Sequence, residues 1–171
     1  MPSNKKMKNK EKLAEKITNE LLSLLEIKAK GLATSDAANN IRVNIESEDP
    51  GILIGYHGET LRAIQTIIGL IVFRKVGEWL RIIVDVGNYR EEREVKLGEL
   101  ARRSAERARF LAKAVVMPRM PPDDRRMIHL AVSKIEGVFS ESVGEGQQRR
   151  VVIKPEEENT KESLVNESLG Q

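Results

Sequence analysis

The stretch Gly51-Ile52-Leu53-Ile54-Gly55-Tyr56-His57-Gly58-Glu59-Thr60-Leu61 sets Gly55 and Gly58 three residues apart, directly ahead of an apolar series at helical spacing: Leu61, Ile64, Ile68, Ile71 and Val72. Paired glycines let a sugar-phosphate backbone approach main-chain amides without meeting a side chain. The first turn of a helix adds N–H donors and a partial positive charge. An anion-binding loop is therefore the expectation. A lone Gly-x-x-Gly also marks an ordinary turn, so the flanking elements must decide between the two.

Upstream, Ile41, Val43 and Ile45 alternate with Arg42, Asn44 and Glu46, a half-buried strand that Asp49-Pro50-Gly51 ends. Before it, Thr34 to Asn40 reads as a turn and Ile27 to Ala33 as a weak strand. Leu13, Ile17, Leu21, Leu24 and Leu25, with Lys and Glu between them, give an amphipathic first helix. Downstream of the loop, Gly77 closes the long helix, and Leu80 to Val86 is a strand ended by Gly87-Asn88. These elements predict helices on one face of a small sheet, with a domain boundary near Asn88.

From Tyr89 to Val116 the pattern predicts a long charged helix. Leu97, Leu100, Ala101, Ala108 and Leu111 form its apolar side, and Arg102, Arg103, Arg107 and Arg109 lie largely elsewhere. Met117-Pro118-Arg119-Met120-Pro121-Pro122 breaks it. Asp123 or Asp124 is expected to cap a following helix, whose apolar side includes Ile128, Ala131, Val132 and Ile135 and which Gly137 ends. Val138 to Val143 and Gln148 to Ile153 flank Gly144-Glu145-Gly146 as a hairpin. From Pro155 to Gln171 glutamates without periodicity are expected to be a disordered tail, and residues 1–9 a flexible, lysine-rich start.

Composition narrows the chemistry. Aromatic residues are only 4% of 171, so the core must be aliphatic and few rings are available to stack on bases. The formal charge is only +3, but charge is segregated: lysines from Lys5 to Lys12, arginines from Arg102 to Arg126, and glutamates at the end. That distribution fits a polyanionic partner. The absence of cysteine excludes disulfides, thiolate zinc sites and a cysteine nucleophile. The longest apolar stretch, Ile64 to Phe73, is interrupted and far shorter than the roughly 20 residues of a spanning helix. The lysine-rich start lacks the pattern of a signal peptide, so a cytoplasmic protein is the default expectation. No Gly-x-x-x-x-Gly-Lys-Ser/Thr or Gly-x-Gly-x-x-Gly run is present, which leaves ATP and NAD no foothold, and no cofactor or metal is expected.

The Ile-Leu-Ile lead-in, the glycine loop, the helix and the closing strand closely resemble a KH domain of the bacterial, helix-first (type II) topology. The resemblance runs over Lys10 to Val86, and the domain is placed at 10–88. In KH domains this loop clamps the backbone of about four single-stranded nucleotides. The resemblance assigns RNA contacts to Gly55, Tyr56, His57 and Gly58. The residues between the glycines are commonly basic in this branch, and Tyr56 and His57 carry no permanent charge, so less affinity should come from counterion release here. Tyr56 is either a stacking ring or a solvent-facing spacer. His57 is either a pH-sensitive contact or an ordinary histidine. Arg62, one turn into the helix, is the nearest replacement for the missing charge. Aspartate at Gly55 and Gly58 is expected to weaken RNA binding far more than stability.

The run from Met117 through His129, with Ser140-Glu141-Ser142-Val143-Gly144-Glu145-Gly146 and Arg149-Arg150-Val151-Val152-Ile153 after it, resembles the R-three-H domain, named for an arginine and a histidine separated by three residues. Arg125 and His129 share a helix face and can grip one phosphate, or can fix the helix against the hairpin. Arg126, Arg149 and Arg150 are the accompanying candidates. Arg149 and Arg150 point to opposite faces, so only one can share a surface with Arg125. Arg102, Arg103, Arg107 and Arg109 are a phosphate track or a solvated helix face.

A KH domain followed by an R-three-H domain, the latter placed at 89–154, resembles the bacterial Jag family of RNA-binding proteins. The fold class expected is α+β, with a small α/β second domain. The resemblance implies a single-stranded RNA-binding protein, not an enzyme, that regulates transcripts or cell-envelope growth and elongation. The ribosome or a second KH protein are further partners it allows, and the oligomeric state stays open. Two other readings are an interaction adaptor at ribosome or membrane, and a metal-dependent nuclease using Asp123, Asp124 and His129.

Overall fold

The computed structural model describes residues 2–156, which form two compact units dividing between Glu92 and Arg93. In the first, helix α1 (Pro2–Leu24) leads into strands β1 (Ala29–Ser35) and β2 (Ile41–Ser47). A short helix α2 (Pro50–Ile54), the long helix α3 (Glu59–Val76) and strand β3 (Ile82–Val86) follow. The order in the sheet is β1-β2-β3, antiparallel between β1 and β2 and parallel between β2 and β3. The alternation in β2 has the expected outcome: Ile41, Val43 and Ile45 are buried and Arg42, Asn44 and Glu46 are exposed. Leu61, Ile64, Ile68 and Val72 of α3 meet them, with Ala14, Ile17 and Leu22 of α1, in one aliphatic core.

One expectation for this unit changes. Residues 2–9, read as a flexible start, continue α1, because no glycine or proline interrupts the chain between Pro2 and the amphipathic segment and proline suits a first helical turn. The Ile52-Leu53-Ile54 lead-in, to which the sequence reading assigns no conformation, is helical. Leu53 is buried, and the Gly55 N–H donates to the Gly51 carbonyl oxygen at 2.9 Å.

Both outer strands of this sheet have several outward backbone groups taken up by side chains. Along β1, residues spaced four apart on α1 meet residues spaced two apart on the strand: the Ser35 hydroxyl donates to Glu11, the Ala33 N–H to Glu15 Oε2 at 3.0 Å, and the Gly31 N–H to Asn19 Oδ1 at 2.9 Å. Asn19 Nδ2 returns a bond to the Gly31 carbonyl at 3.0 Å. The match is geometric, since four helical residues rise about 6 Å and two strand residues about 6.7 Å. On β3, the Val84 N–H donates to Gln65 Oε1 at 3.0 Å and its carbonyl accepts from Arg90 Nε at 2.9 Å.

The second unit consists of most of α4 (Tyr89–Leu111), β4 (Val115–Val116), α5 (Pro122–Val132), β5 (Val138–Val143) and β6 (Arg150–Pro155). Its sheet has the order β4-β6-β5, antiparallel throughout. Leu97, Ala101, Ala105 and Ala108 of α4 pack with Met117, Ile128, Val132, Val138, Val151 and Ile153. The long helix stops at Leu111 and not at Val116. Ala112 takes a positive φ of 48°, and Val115 and Val116 pair with Ile153 and Val152 as β4. Pro155 belongs to β6 and Glu156 bonds back to the Gly137 carbonyl, so these two are not part of a disordered tail; the rest of that expectation, residues 157–171, lies outside the described residues. Among the described residues no helix is long and apolar enough to cross a membrane.

Candidate nucleic-acid interface

The glycine loop is a 3-10 turn, Tyr56–Gly58, wedged between α2 and α3. Gly55 has φ 68° and ψ −171°, a region essentially reserved for glycine, and Gly58 has φ 78° in the left-handed region. Both glycines have internal reasons to be there. A Cβ on Gly55 would lie 2.1 Å from Thr60 Oγ1, and one on Gly58 would lie 3.1 Å from the Tyr89 ring. Between them Tyr56 is 73% exposed, and His57, at φ 50°, is half-buried with its ring 4.1 Å from that of Tyr56. Gly58 opens α3 without a side-chain cap, so the first-turn amides face the loop as the sequence argument requires. Arg62 Nη2 reaches the His57 carbonyl at 3.4 Å, which puts its charge beside the loop. Glu59, exposed in the same first turn, opposes it.

In the second unit Arg125 and His129 come to one cleft between α5 and β5, together with Arg126, Ser140, Glu141, Ser142 and Arg149. Arg125 Nη1 donates to the Arg149 carbonyl at 3.1 Å. His129 is held at both ring nitrogens, Nδ1 2.7 Å from Ser140 Oγ and Nε2 2.8 Å from Ser142 Oγ. Serine hydroxyls both donate and accept, so a neutral imidazole satisfies both contacts. The two serines are two apart on β5 and therefore share a face. Arg125 and His129 thus do fasten α5 to the hairpin, and the same geometry turns Arg126 and Arg149 to solvent around them. Arg150 does not line this cleft.

Burial, then the charges of Arg125 and Arg149, hold the His129 imidazole below its ordinary value. Because the unfolded chain takes up this proton first, the stability from neutral His129 is fully present above about pH 6.5 and is lost as pH falls from there toward the lower native value. Melting curves from pH 7 to pH 5 should therefore fall more steeply for the native chain than for His129→Gln. Parallel curves would show that the histidine carries no such linkage.

Neither aspartate caps α5. Pro121 occupies the N-cap position without a side-chain bond, and Asp124, 7% exposed, instead accepts from Arg93 Nε at 3.1 Å and Nη2 at 2.6 Å. Arg93 went unrecognised in the sequence. This pairing also dissolves the nuclease trio, since Asp124 is committed to Arg93 and both His129 nitrogens to serines. Among the described residues no group of three or more His, Cys, Asp or Glu side chains is placed to hold a metal ion. Arg102, Arg103, Arg107 and Arg109 are all exposed but do not form one line. Arg102 and Arg109 share a stripe with Glu106, which pairs with Arg102 at 3.1 Å, while Arg103 and Arg107 lie on another.

Comparison with known proteins follows the same division. A model described as the KH domain of KhpA/KhpB matches residues 11–86, and a model of the R-three-H domain matches residues 95–155. The RNA-binding protein KhpB of Clostridium symbiosum is 33% identical over 75% of this chain and 58% of its own length. The RNA-binding protein KhpB of Bacillus subtilis is 31% identical over 71% of this chain and 60% of its own, and that of Streptococcus pneumoniae 29% identical over 68% and 36%. The chain therefore spans less than two thirds of the length of these relatives. With the helix-first sheet, the glycine loop and the Arg125–His129 cleft in this order, the chain belongs to the Jag-type proteins that join a KH domain to an R-three-H domain.

Proposed function

We propose that the chain binds single-stranded RNA through both domains and holds it without covalent chemistry. The observation that carries this reading is the gathering of Arg125, Arg126 and Arg149 on one open cleft; the nearest acid, Glu141, turns its carboxylate to the other face of β5, where it pairs with Lys154 at 2.5 Å. Such a cleft presents excess positive charge to a phosphate, and bidentate arginine is the side chain best suited to it. The loop of the KH domain supports the reading more weakly, through backbone and Tyr56 rather than through fixed charge. Tethering two modest sites raises the effective concentration at the second, so the two-domain chain should bind more tightly than either module alone. The role we assign is regulation of transcripts, with an outlet in cell-envelope growth.

Arg126 and Arg149 are the residues to test, because both are exposed and the bond at 149 uses the main-chain carbonyl, which alanine retains. Fluorescence anisotropy with labelled single-stranded RNA over a range of salt should show weaker binding by Arg126→Ala/Arg149→Ala. The slope of log affinity against log salt should fall by about 0.7 for each phosphate contact removed. Unchanged affinity and slope in the double variant would sink the reading of this cleft.

A further inference from the structure

Arg150 is the residue that the cleft leaves over, and strand register shows where it goes. Ser140 and Ser142 face α5, so Phe139, Glu141 and Val143 face the other way. Directly opposite these on β6 are Lys154, Val152 and Arg150. The outer face of this sheet therefore has Val152, largely covered at 9%, at its centre, and its accessible apolar surface is that of Phe139 (43%) and Val143 (49%), with one cation at each end. Arg150 and Lys154 are about 13 Å apart along the strand, so they bracket the strip rather than crowd one point. Glu141 holds Lys154 over it at 2.5 Å.

We propose that this outer face is a second RNA-contacting surface of the R-three-H domain, with a base stacked on Phe139 and phosphates held by Arg150 and Lys154. Single-strand sites combine a cationic path with an aromatic platform, and this face supplies both in a chain with few rings. A protein partner fits it less well, since the centres of protein interfaces are depleted in charge and particularly in lysine. Arg149 and Arg150 are successive residues at the hairpin end, one at the cleft and one on the outer face, so a strand leaving the cleft meets Arg150 next. The inference rests on the RNA-binding reading above.

The test uses the full chain and a labelled uridine oligonucleotide of about fifteen residues, long enough to exceed one site. Phe139→Ala should weaken binding by about tenfold, the loss of one stacked base. Phe139→Trp should bind as the native chain does, whereas Phe139→Leu, which keeps apolar bulk, should behave like alanine. Melting temperatures identify any variant that is misfolded, and the tryptophan and leucine variants preserve the comparison if alanine does not fold. Native affinity in Phe139→Leu, or unchanged RNA affinity with altered self-association in Phe139→Ala, would overturn the proposal. If Arg126→Ala/Arg149→Ala loses affinity while the Phe139 variants do not, only the outer face is discarded. If the native chain binds no RNA, both readings fall together.

Discussion

Replacing Asp124 with alanine is expected to destabilise the second domain by about 3–5 kcal/mol, the cost of breaking a buried ion pair by removing one partner. Asp124 is 7% exposed, and both Nε and Nη2 of Arg93 converge on its Oδ2. The Arg93 side chain is only 22% exposed, so removing the carboxylate takes two charge-assisted hydrogen bonds from a largely covered guanidinium. A small domain has about 5–15 kcal/mol in all, so the loss should appear as a large drop in the denaturation midpoint. Replacing both partners, as Arg93→Met/Asp124→Leu, should recover much of it, since an apolar pair removes the desolvation problem together with the attraction. Chemical denaturation of the two variants beside the native chain decides the matter: if Asp124→Ala unfolds with the native chain, the pair contributes nothing and another contact fixes α5 to α4.

The second large effect separates fold from binding in the glycine loop. Alanine at Gly55 should lower the melting temperature strongly on its own. The backbone there costs a side chain about 1–3 kcal/mol, and its Cβ would also stand 3.0 Å from the Thr60 nitrogen and 2.1 Å from its hydroxyl. Aspartate at Gly55 and Gly58 would damage the loop before it repelled any phosphate, so the expectation that such a change spares stability is corrected by the packing of Thr60 and Tyr89. Tyr56→Asp/His57→Asp is the variant that isolates binding. Tyr56 faces solvent, and aspartate is among the few residues that tolerate the left-handed backbone of His57. This variant should keep its melting temperature within a few degrees and lose RNA affinity by about tenfold or more. Retained affinity at an unchanged melting temperature would remove the loop from the binding surface.

What could be read from the residues was what is local. The two-residue alternation of Ile41, Val43 and Ile45, the helical series from Leu61 to Val72 and the stop at Gly77 each declare themselves within a few positions. So does the shared face of Arg125 and His129. What escaped depends on partners far along the chain. Asp124 looks like a cap because Arg93, its true partner, is 31 residues away. Val115 and Val116 read as the end of a helix because the strand that claims them lies near Val152 and Ile153. The serines that hold His129 had a usable signal, their spacing of two on a strand opposite a helix. The split of Arg149 from Arg150 followed from that same strand logic, but not the placing of Phe139 beside Arg150.

The sealed margins of the KH sheet have a consequence for how this chain avoids its own kind. An open strand is a template, and a long one invites a neighbouring polypeptide to extend the sheet indefinitely. Glu15 and Asn19 on one margin and Gln65 with Arg90 on the other occupy central groups that such a template would offer. Shortening the chain to a minimal domain without α1 would thus do more than thin the core: it would uncover β1 and leave a strand open to aggregation.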